Sequence, residues 1–248
     1  MKIYQIFCMF FLVAVFDAHA QFAIGARAGF HLTNMSNKDG FSEHSKWKPG
    51  FQVGVVGDYA LSDAFSIQPG ILFATQGNKT ERSSDFEILN SRMRQEIRTT
   101  LNINYIKVPV NVQYKLNITG MNLLFQAGPY FGYGLGMRMK TEIIRKGVMD
   151  FGFGIEHAID EKDFFDERFK MGSGDNMLYR AFDFGLGFGT GVQFGNMQVV
   201  LGYNMGILNI VNKNISVFQG VPLPEDILND AIVKNHGLTL SLIYLFGN

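Results

Sequence analysis

The chain has 248 residues, and its 22 Lys and Arg balance 22 Asp and Glu, so the formal net charge at pH 7 is zero. A neutral chain lacks the basic surface that nucleic-acid binding requires, so nucleic acid is excluded as a partner. The single cysteine, Cys8, lies in an N-terminal apolar run that the sequence predicts to be removed. Disulfide bonds, thiolate metal sites and cysteine nucleophiles are therefore excluded from the mature protein.

The N-terminus has the three parts of a secretory signal. Lys2 supplies a positive charge, an apolar run follows, and small residues precede the expected cleavage site. We expect cleavage between Ala20 and Gln21, which divides the chain into a signal peptide (1–20) and one mature domain (21–248). A transmembrane anchor, the alternative, needs about 20 apolar residues, which is more than this run provides.

Eight later segments alternate between large apolar side chains on one parity and Gly, Gln, Asn or an occasional charge on the other. A period of two places successive side chains on opposite faces of a β-strand, so each segment predicts a strand with one bulky apolar face. In chain order the segments are 22–33, 50–61, 65–76, 101–115, 121–140, the two arms of the hairpin 181–210, and 237–246.

The hairpin 181–210 indicates which solvent each face meets. A soluble sandwich would bury its apolar face and place Lys, Glu, Thr or Ser outside. Here the second face is mostly Gly, with Gln, Asn and Asp183, which suits a tight polar interior, while the bulky face suits hydrocarbon. The side chains that we predict to face lipid are Phe182, Phe184, Leu186, Phe188, Leu201, Tyr203, Leu240 and Leu242.

The connections between the segments alternate between short and long ones. The short turns are 61–64, 117–120 and 195–196, and the long polar loops are 34–49, 77–100, 141–180 and 212–236. Barrels of bacterial outer membranes alternate in this way, and a closed barrel satisfies every backbone group in lipid. We therefore predict an all-β fold: an eight-stranded antiparallel transmembrane β-barrel with short periplasmic turns and long extracellular loops, in the outer membrane of a Gram-negative bacterium.

One irregularity interrupts the fourth segment. Leu101 and Ile103 are apolar on the parity that carries polar residues farther along the segment. A β-bulge near Tyr105 would return both side chains to the lipid face.

The inward parity carries charges and amides that predict a packed polar core. An eight-stranded barrel is just wide enough for its own side chains, and buried opposite charges are expected to pair. A conducting pore for small solutes is the alternative. The residues predicted to form this core are Arg27, Asp58, Lys107, Arg138, Asp183, Gln126 and Gln193.

Four histidines of the mature chain are the candidate general bases: His31, His44, His157 and His236. A hydrolase site at the barrel rim is geometrically possible, but serines next to His44 cannot form a triad with it, because consecutive residues cannot converge. We predict no catalytic residues, no cofactor and no metal site.

The third long loop contains an acidic stretch, residues 158–169. Its carboxylates lack the Asp-x-Asp-x-Asp-Gly spacing of a calcium loop. Phe164, Phe165 and Phe169 recur at roughly helical spacing, which also fits a short amphipathic helix that caps the barrel or meets a partner. A solvated loop is the simplest interpretation.

Taken in order, five stretches resemble the PorT-like outer-membrane β-barrel family of Bacteroidetes, whose members are often labelled porin family proteins. They are residues 48–77, 101–116, 125–136, 182–210 and 237–246. The resemblance implies an eight-stranded outer-membrane barrel and, for most members, no known activity; one branch is associated with secretion of cell-surface proteins. The long loops are unmatched, and the chain closes with Phe246-Gly247-Asn248 rather than with a terminal aromatic residue.

These observations favour a non-enzymatic barrel that is structural or that engages another macromolecule, including secretion machinery, through its long loops. The expected partners are outer-membrane lipid, the barrel-assembly machinery and an unidentified protein at the extracellular loops. Three alternatives stay open: passage of small solutes, a rim hydrolase, and a soluble lipocalin-like barrel that carries a ligand inside.

Overall fold

The computed structural model describes residues 22–37, 45–88, 91–150, 156–174, 177–213, 215, 217–218, 221–222 and 231–246. These residues contain no helix that is long and apolar enough to cross a membrane. The predicted signal peptide and its cleavage site between Ala20 and Gln21 lie outside the described residues, as does His44.

The described residues form strands, and every strand pairing is antiparallel. The strands are β1 (Phe22–Asn37), β2 (Ser45–Lys46), β3 (Lys48–Ala60), β4 (Phe65–Ile88), β5 (Ser91–Ile118), β6 (Met121–Asp150), β7 (Glu156–Phe169), β8 (Phe182–Phe194), β9 (Met197–Gly206), β10 (Val217–Phe218), β11 (Val221–Pro222) and β12 (Val233–Phe246).

Eight of these strands close into a barrel. The ring runs β1–β3–β4–β5–β6–β8–β9–β12, and β12 pairs back onto β1 from Ile24↔Phe246 to Asn37↔Val233. A closed ring leaves no open sheet edge in the wall. The predicted eight-stranded antiparallel barrel is confirmed.

The wall separates side chains by parity. All eight side chains predicted to face lipid lie on its outer surface, where six are exposed and Phe184 and Leu186 are partly covered. The ring of Phe184 packs against that of Phe131, with centroids 5.1 Å apart. An outer surface this apolar is unfavourable in water and favourable in hydrocarbon.

Tight turns join the strands at one end of the barrel. Thr119 and Gly120 have φ of 41° and 88°, and Gly195 has φ of 53°. A Cβ at Gly120 or Gly195 would meet nothing within 4 Å, so it is the left-handed backbone, not space, that favours glycine there.

At the other end, two of the predicted long loops prove to be strands. Strands β4, β5 and β6 continue past the barrel, and β7 pairs with the far part of β6 from Met137↔Phe169 to Asp150↔Glu156. The sheet formed by residues 77–88, 91–104, 137–150 and 156–169, which the short strand β2 borders at residues 79 and 80, is called the extension sheet below. The prediction of polar loops at 77–100 and 141–180 was therefore wrong for most of their length.

A β-bulge marks the boundary between the barrel and the extension sheet. Asn104 pairs with Gly136 and Tyr105 with Gly134, which leaves Leu135 of β6 as the extra residue. The register shift lies where the sequence predicted it, but on the partner strand. Since β5 itself is not interrupted, Leu101 and Ile103 stay on the inward face, 7% and 0% exposed, and the prediction that both face lipid was wrong.

Candidate functional site

The barrel interior is closed by an apolar cluster at the end opposite the short turns. The mouth cluster comprises Met35, Leu101, Ile103, Tyr105, Met137, Ile210, Val211, Ile215, Ala231 and Val233. The segments that follow β7 and β9 cross the mouth side by side, because the Arg180 N–H donates to the Ile210 carbonyl (2.7 Å) and the Asn212 N–H to the Leu178 carbonyl (2.9 Å). These backbone hydrogen bonds hold Ile210 and Val211 over the lumen.

A second apolar cluster lies nearer the short turns. It comprises Ala23, Val56, Leu72, Leu124, Val200, Ile243 and Leu245. Several of these residues stand on the parity that the sequence analysis treated as polar, so the interior is more apolar than predicted. The two apolar clusters share the interior with buried polar side chains, and an eight-stranded barrel is just wide enough for its own side chains.

Glutamine side chains form two groups of hydrogen bonds at the short-turn end of the lumen. Gln113 Nε2 donates to Gln126 Oε1 (3.1 Å), and Gln198 Nε2 donates to Gln193 Oε1 (3.3 Å). Gln68 Nε2 donates to Gln198 Oε1 (3.2 Å) and extends the second group to β4. The predicted core residues Gln126 and Gln193 thus lie inside, and their amides link neighbouring strands.

Asp58 has the one ion pair described inside the barrel. Its Oδ2 accepts from Lys115 Nζ at 2.8 Å, with side chains 5% and 13% exposed. Asp58 was among the predicted lumen residues, whereas Lys115 was not. Lys115 lies on the same inward parity of β5 as Lys107, but at the short-turn end of the barrel.

The other predicted lumen charges do not pair as expected. Asp183 is fully buried and accepts hydrogen bonds from Asn235 Nδ2 (2.9 Å) and Tyr130 Oη (3.4 Å), not from a cation. Lys107 Nζ lies 4.1 Å from the centroid of the Tyr130 ring. Arg27 Nη2 donates to Ser241 Oγ (3.1 Å). Among the described residues, neither buried cation forms an ion pair.

Arg138 is not a lumen residue. The extra residue Leu135 inverts the parity of β6, so that Met137 points inward, 4% exposed, and Arg138 points outward. Its Nε donates to Asp166 Oδ1 at 2.6 Å on the outer face of the extension sheet. This hydrogen bond and the positive charge of Arg138 hold the pKa of Asp166 below its ordinary value.

Only small spaces interrupt the described interior. A cavity of about 30 Å³ lies at mid-barrel, where Arg27, Lys107 and Tyr130 line it, and one of about 190 Å³ lies in the mouth cluster beside Met35 and Tyr179. The first holds about one or two water molecules. Apolar clusters lie on either side of the mid-barrel cavity, toward the mouth and toward the short turns.

The described histidines do not converge on a nucleophile. His31 is buried in the barrel, where its Nε2 donates to the Thr75 carbonyl. His236 Nε2 accepts from the Ser36 N–H (3.1 Å), and partial burial together with Lys234 lowers the pKa of its imidazole. His157 lies on β7 with an exposed side chain.

The acidic stretch is neither a helix nor a loop but strand β7. Phe164 and Phe165 lie on opposite faces of the extension sheet, 61% and 49% exposed. The carboxylates pair with cations of β6: Arg145 Nη1 lies 2.9 Å from Asp163 Oδ2 and 3.3 Å from Glu161 Oε2. Within the described part of the chain, no group of His, Cys, Asp and Glu is arranged to hold a metal ion.

No curated protein matches the sequence. The solved structures that are similar include Ail, the attachment invasion locus protein of Yersinia pestis, at 14% identity over 91% of this chain and 99% of Ail, with a TM-score of 0.34. They also include the neisserial surface protein NspA, at 12% identity over 89% of this chain and 96% of NspA, with a TM-score of 0.35.

The family comparison covers most of the sequence. The match runs over residues 17–212, from β1 to the segment that crosses the barrel mouth after β9. The chain belongs to the family defined by the outer membrane protein beta-barrel domain.

Proposed function

We propose that this outer-membrane barrel acts without catalysis, by presenting its extension sheet outside the membrane to a protein partner. The observation that carries the proposal is the continuation of β4, β5 and β6 beyond the barrel, where β7 joins them. A barrel needs only about 9–11 residues per strand to span a membrane, whereas β4, β5 and β6 have 24, 28 and 30. The surplus length supports a role at the surface.

The edge strand β7 is the part of this sheet best suited to contact. It pairs with β6 on one side, and no described strand pairs with its other side. An open edge offers backbone N–H and C=O groups to an added strand, while side chains on alternate faces supply specificity. The exposed rings of Phe164 and Phe165 flank that edge on both faces.

The closed lumen argues against the solute-passage alternative. An apolar cluster occupies each end, and the mid-barrel cavity measures only about 30 Å³. A porin keeps a water-filled interior instead. The three described histidines, which do not converge on a nucleophile, likewise give the hydrolase alternative no support.

The family placement can be extended in two respects. We propose that the chain is a PorT-like member from Bacteroidetes, because five ordered stretches resemble that group along the barrel strands. We also propose export by the signal peptide 1–20, insertion by the barrel-assembly machinery, and contact of the outward apolar face with outer-membrane lipid. The apolar outer wall supports the lipid contact.

Photo-crosslinking on intact cells tests the proposed function. A photoreactive amino acid replaces Phe164 or Phe165, and a matched control places it at Phe182, which is similarly exposed but lies on the barrel wall. We expect one protein adduct of defined mass from both β7 positions and none of that mass from Phe182. The absence of any adduct along β7 would contradict the proposal. A steady conductance of the refolded barrel in a planar bilayer would favour solute passage instead.

A further inference from the structure

The cavity at mid-barrel has two cations in its wall and no carboxylate. It measures about 30 Å³, and Arg27 and Lys107 both line it. The remaining polar residues of its wall are uncharged: Gln52, Asn111, Gln126, Tyr130, Asn204 and Thr239. The wall therefore carries only positive formal charge.

Both cations are buried and incompletely satisfied. Arg27 is 6% exposed and Lys107 is 5% exposed. Arg27 uses Nη2 to reach Ser241, but its buried Nε has no hydrogen-bond partner. Lys107 contacts the face of Tyr130, and no described oxygen accepts a hydrogen bond from its ammonium group. Each therefore keeps donor capacity that the protein does not use.

The nearby carboxylates offset only part of this charge, since Asp183 acts electrostatically on Lys107 without forming an ion pair with it. Asp183 accepts from Asn235 and Tyr130 and does not line the cavity. Asp58 is paired with Lys115 toward the short turns. One unpaired carboxylate against two cations leaves an excess positive charge in the middle of the lumen, and an uncompensated buried charge is strongly unfavourable.

We propose that the cavity binds a monatomic anion, chloride in the native environment, between the Arg27 guanidinium and the Lys107 ammonium. A halide accepts several hydrogen bonds at once and supplies the missing negative charge. The cavity has room for about one or two water-sized bodies, so it excludes phosphate, sulfate and larger organic anions. The site is independent of the contact proposed for the extension sheet.

The ion enters while the barrel folds. The mouth cluster covers the site on one side, and the apolar cluster around Leu124 and Val200 covers it on the other. Exchange in the folded state is therefore slow, and a test must offer the anion during folding.

The experiment refolds the mature protein from urea into detergent micelles in chloride, bromide or gluconate salts of equal ionic strength. The temperature at which the folded band is lost on an unheated gel gives the melting midpoint. At a halide concentration ten times the dissociation constant, we expect the midpoint to rise by roughly 3–6 °C relative to gluconate. A crystal grown in bromide should show an anomalous peak between Arg27 and Lys107.

Two variants separate this site from general salt effects, which act on every variant alike. Lys107→Met should abolish the halide-dependent part of the midpoint, whereas Arg138→Gln, which removes a cation outside the lumen, should retain it. If Lys107→Met does not fold, Lys107→Gln serves the same purpose. The proposal is overturned if the wild-type midpoints in halide and gluconate are equal. It is also overturned if the halide-dependent shift persists without Lys107, or if the bromide peak is absent.

Discussion

Strands β4, β5 and β6 pass through two regions that share one hydrogen-bonding ladder but have different surroundings. Within the barrel, alternate side chains meet a packed interior and an apolar exterior, so the sequence alternates between polar or small residues and large apolar ones. In the extension sheet, both faces carry charges, threonines and scattered apolar groups, as Arg98 on one face and Phe165 on the other show. Backbone pairing is the same in both regions, and only the solvent on each face decides the residue pattern.

The bulge at Leu135 separates the alternating pattern of the barrel from the mixed pattern of the extension sheet. The bulge orients the Met137 side chain inward, where it is part of the mouth cluster. It orients Arg138 toward the outer face, where Arg138 pairs with Asp166. One extra residue therefore allows apolar side chains of β6 to join the mouth cluster, while charged side chains such as Arg138 form ion pairs on the outer face of the extension sheet.

The largest effect is expected from Ile103→Ala. Ile103 is fully buried in the mouth cluster, so truncation should lower the free energy of unfolding by about 2–5 kcal/mol. Ile97→Ala, in the extension sheet on the same parity of β5 but partly exposed, should cost clearly less. Urea unfolding of both variants in lipid vesicles measures the difference, and equal losses would place Ile103 outside the core.

A charge on the barrel wall should be nearly as costly. Leu201→Lys puts an ammonium group on the outward face of β9 and should cost about 2–4 kcal/mol if that position is at mid-bilayer. Phe164→Lys, also on an exposed apolar side chain but in the extension sheet, should change stability by less than about 0.5 kcal/mol. The same unfolding assay applies, and equal tolerance of both lysines would contradict a lipid-facing wall.

Removal of the lumen ion pair is expected to have an intermediate effect. Asp58→Ala leaves Lys115 without its partner in a site that is mostly buried. The loss should be about 1–3 kcal/mol, below the range for fully buried pairs because Lys115 retains some solvent access. The double variant Asp58→Ala with Lys115→Met removes both charges and should recover part of that loss. A double variant less stable than Asp58→Ala would contradict the recovery that removal of both charges is expected to bring.

The smallest change concerns an exposed pair of the extension sheet. The pKa of Asp166 should lie below its ordinary value of 3.8 because Arg138 stabilises the carboxylate. A lowered folded-state pKa means that the pair stabilises the sheet above pH 3.8 and that this contribution is lost as the pH falls through the lower value. Nuclear magnetic resonance titration checks this, and Arg138→Gln should return the pKa toward 3.8. An unchanged pKa in that variant would show that the pair has no effect in solution.

The barrel could be predicted because its two faces differ so much in chemistry. The hairpin around Gly195 alternates Phe and Leu with Gly and Gln, and such a pattern fits no soluble strand. Strand order, closure and the antiparallel pairing then followed from the short turns and from the need to satisfy backbone groups in lipid.

The extension sheet could not be predicted in the same way because, beyond the base where Leu101, Ile103 and Met137 join the mouth cluster, neither of its faces packs against a core. The apolar residues of 158–169 do not alternate with a period of two. Phe164 and Phe165 are adjacent, and together with Phe169 they have the spacing of a helix. One signal was present: the basic residues between Arg138 and Lys146 face the acidic residues of β7 across a hairpin, and opposite charges at matched distances from a turn favour cross-strand pairing. The outward orientation of the Arg138 side chain could not be predicted, because Gly134-Leu135-Gly136 continues the alternation of small and apolar residues through the bulge.

Labelling of single-cysteine variants on intact cells tests the central claim most directly, since the one cysteine of the chain, Cys8, lies in the predicted signal peptide. A membrane-impermeant maleimide should label Phe164→Cys on intact cells and should leave Ile103→Cys unlabelled until the barrel is denatured. Protection of Phe164→Cys until the cells are broken would place the extension sheet on the periplasmic side. Labelling of Ile103→Cys in the folded protein would show that the mouth is open, and either result would contradict a closed barrel that presents a sheet to the exterior.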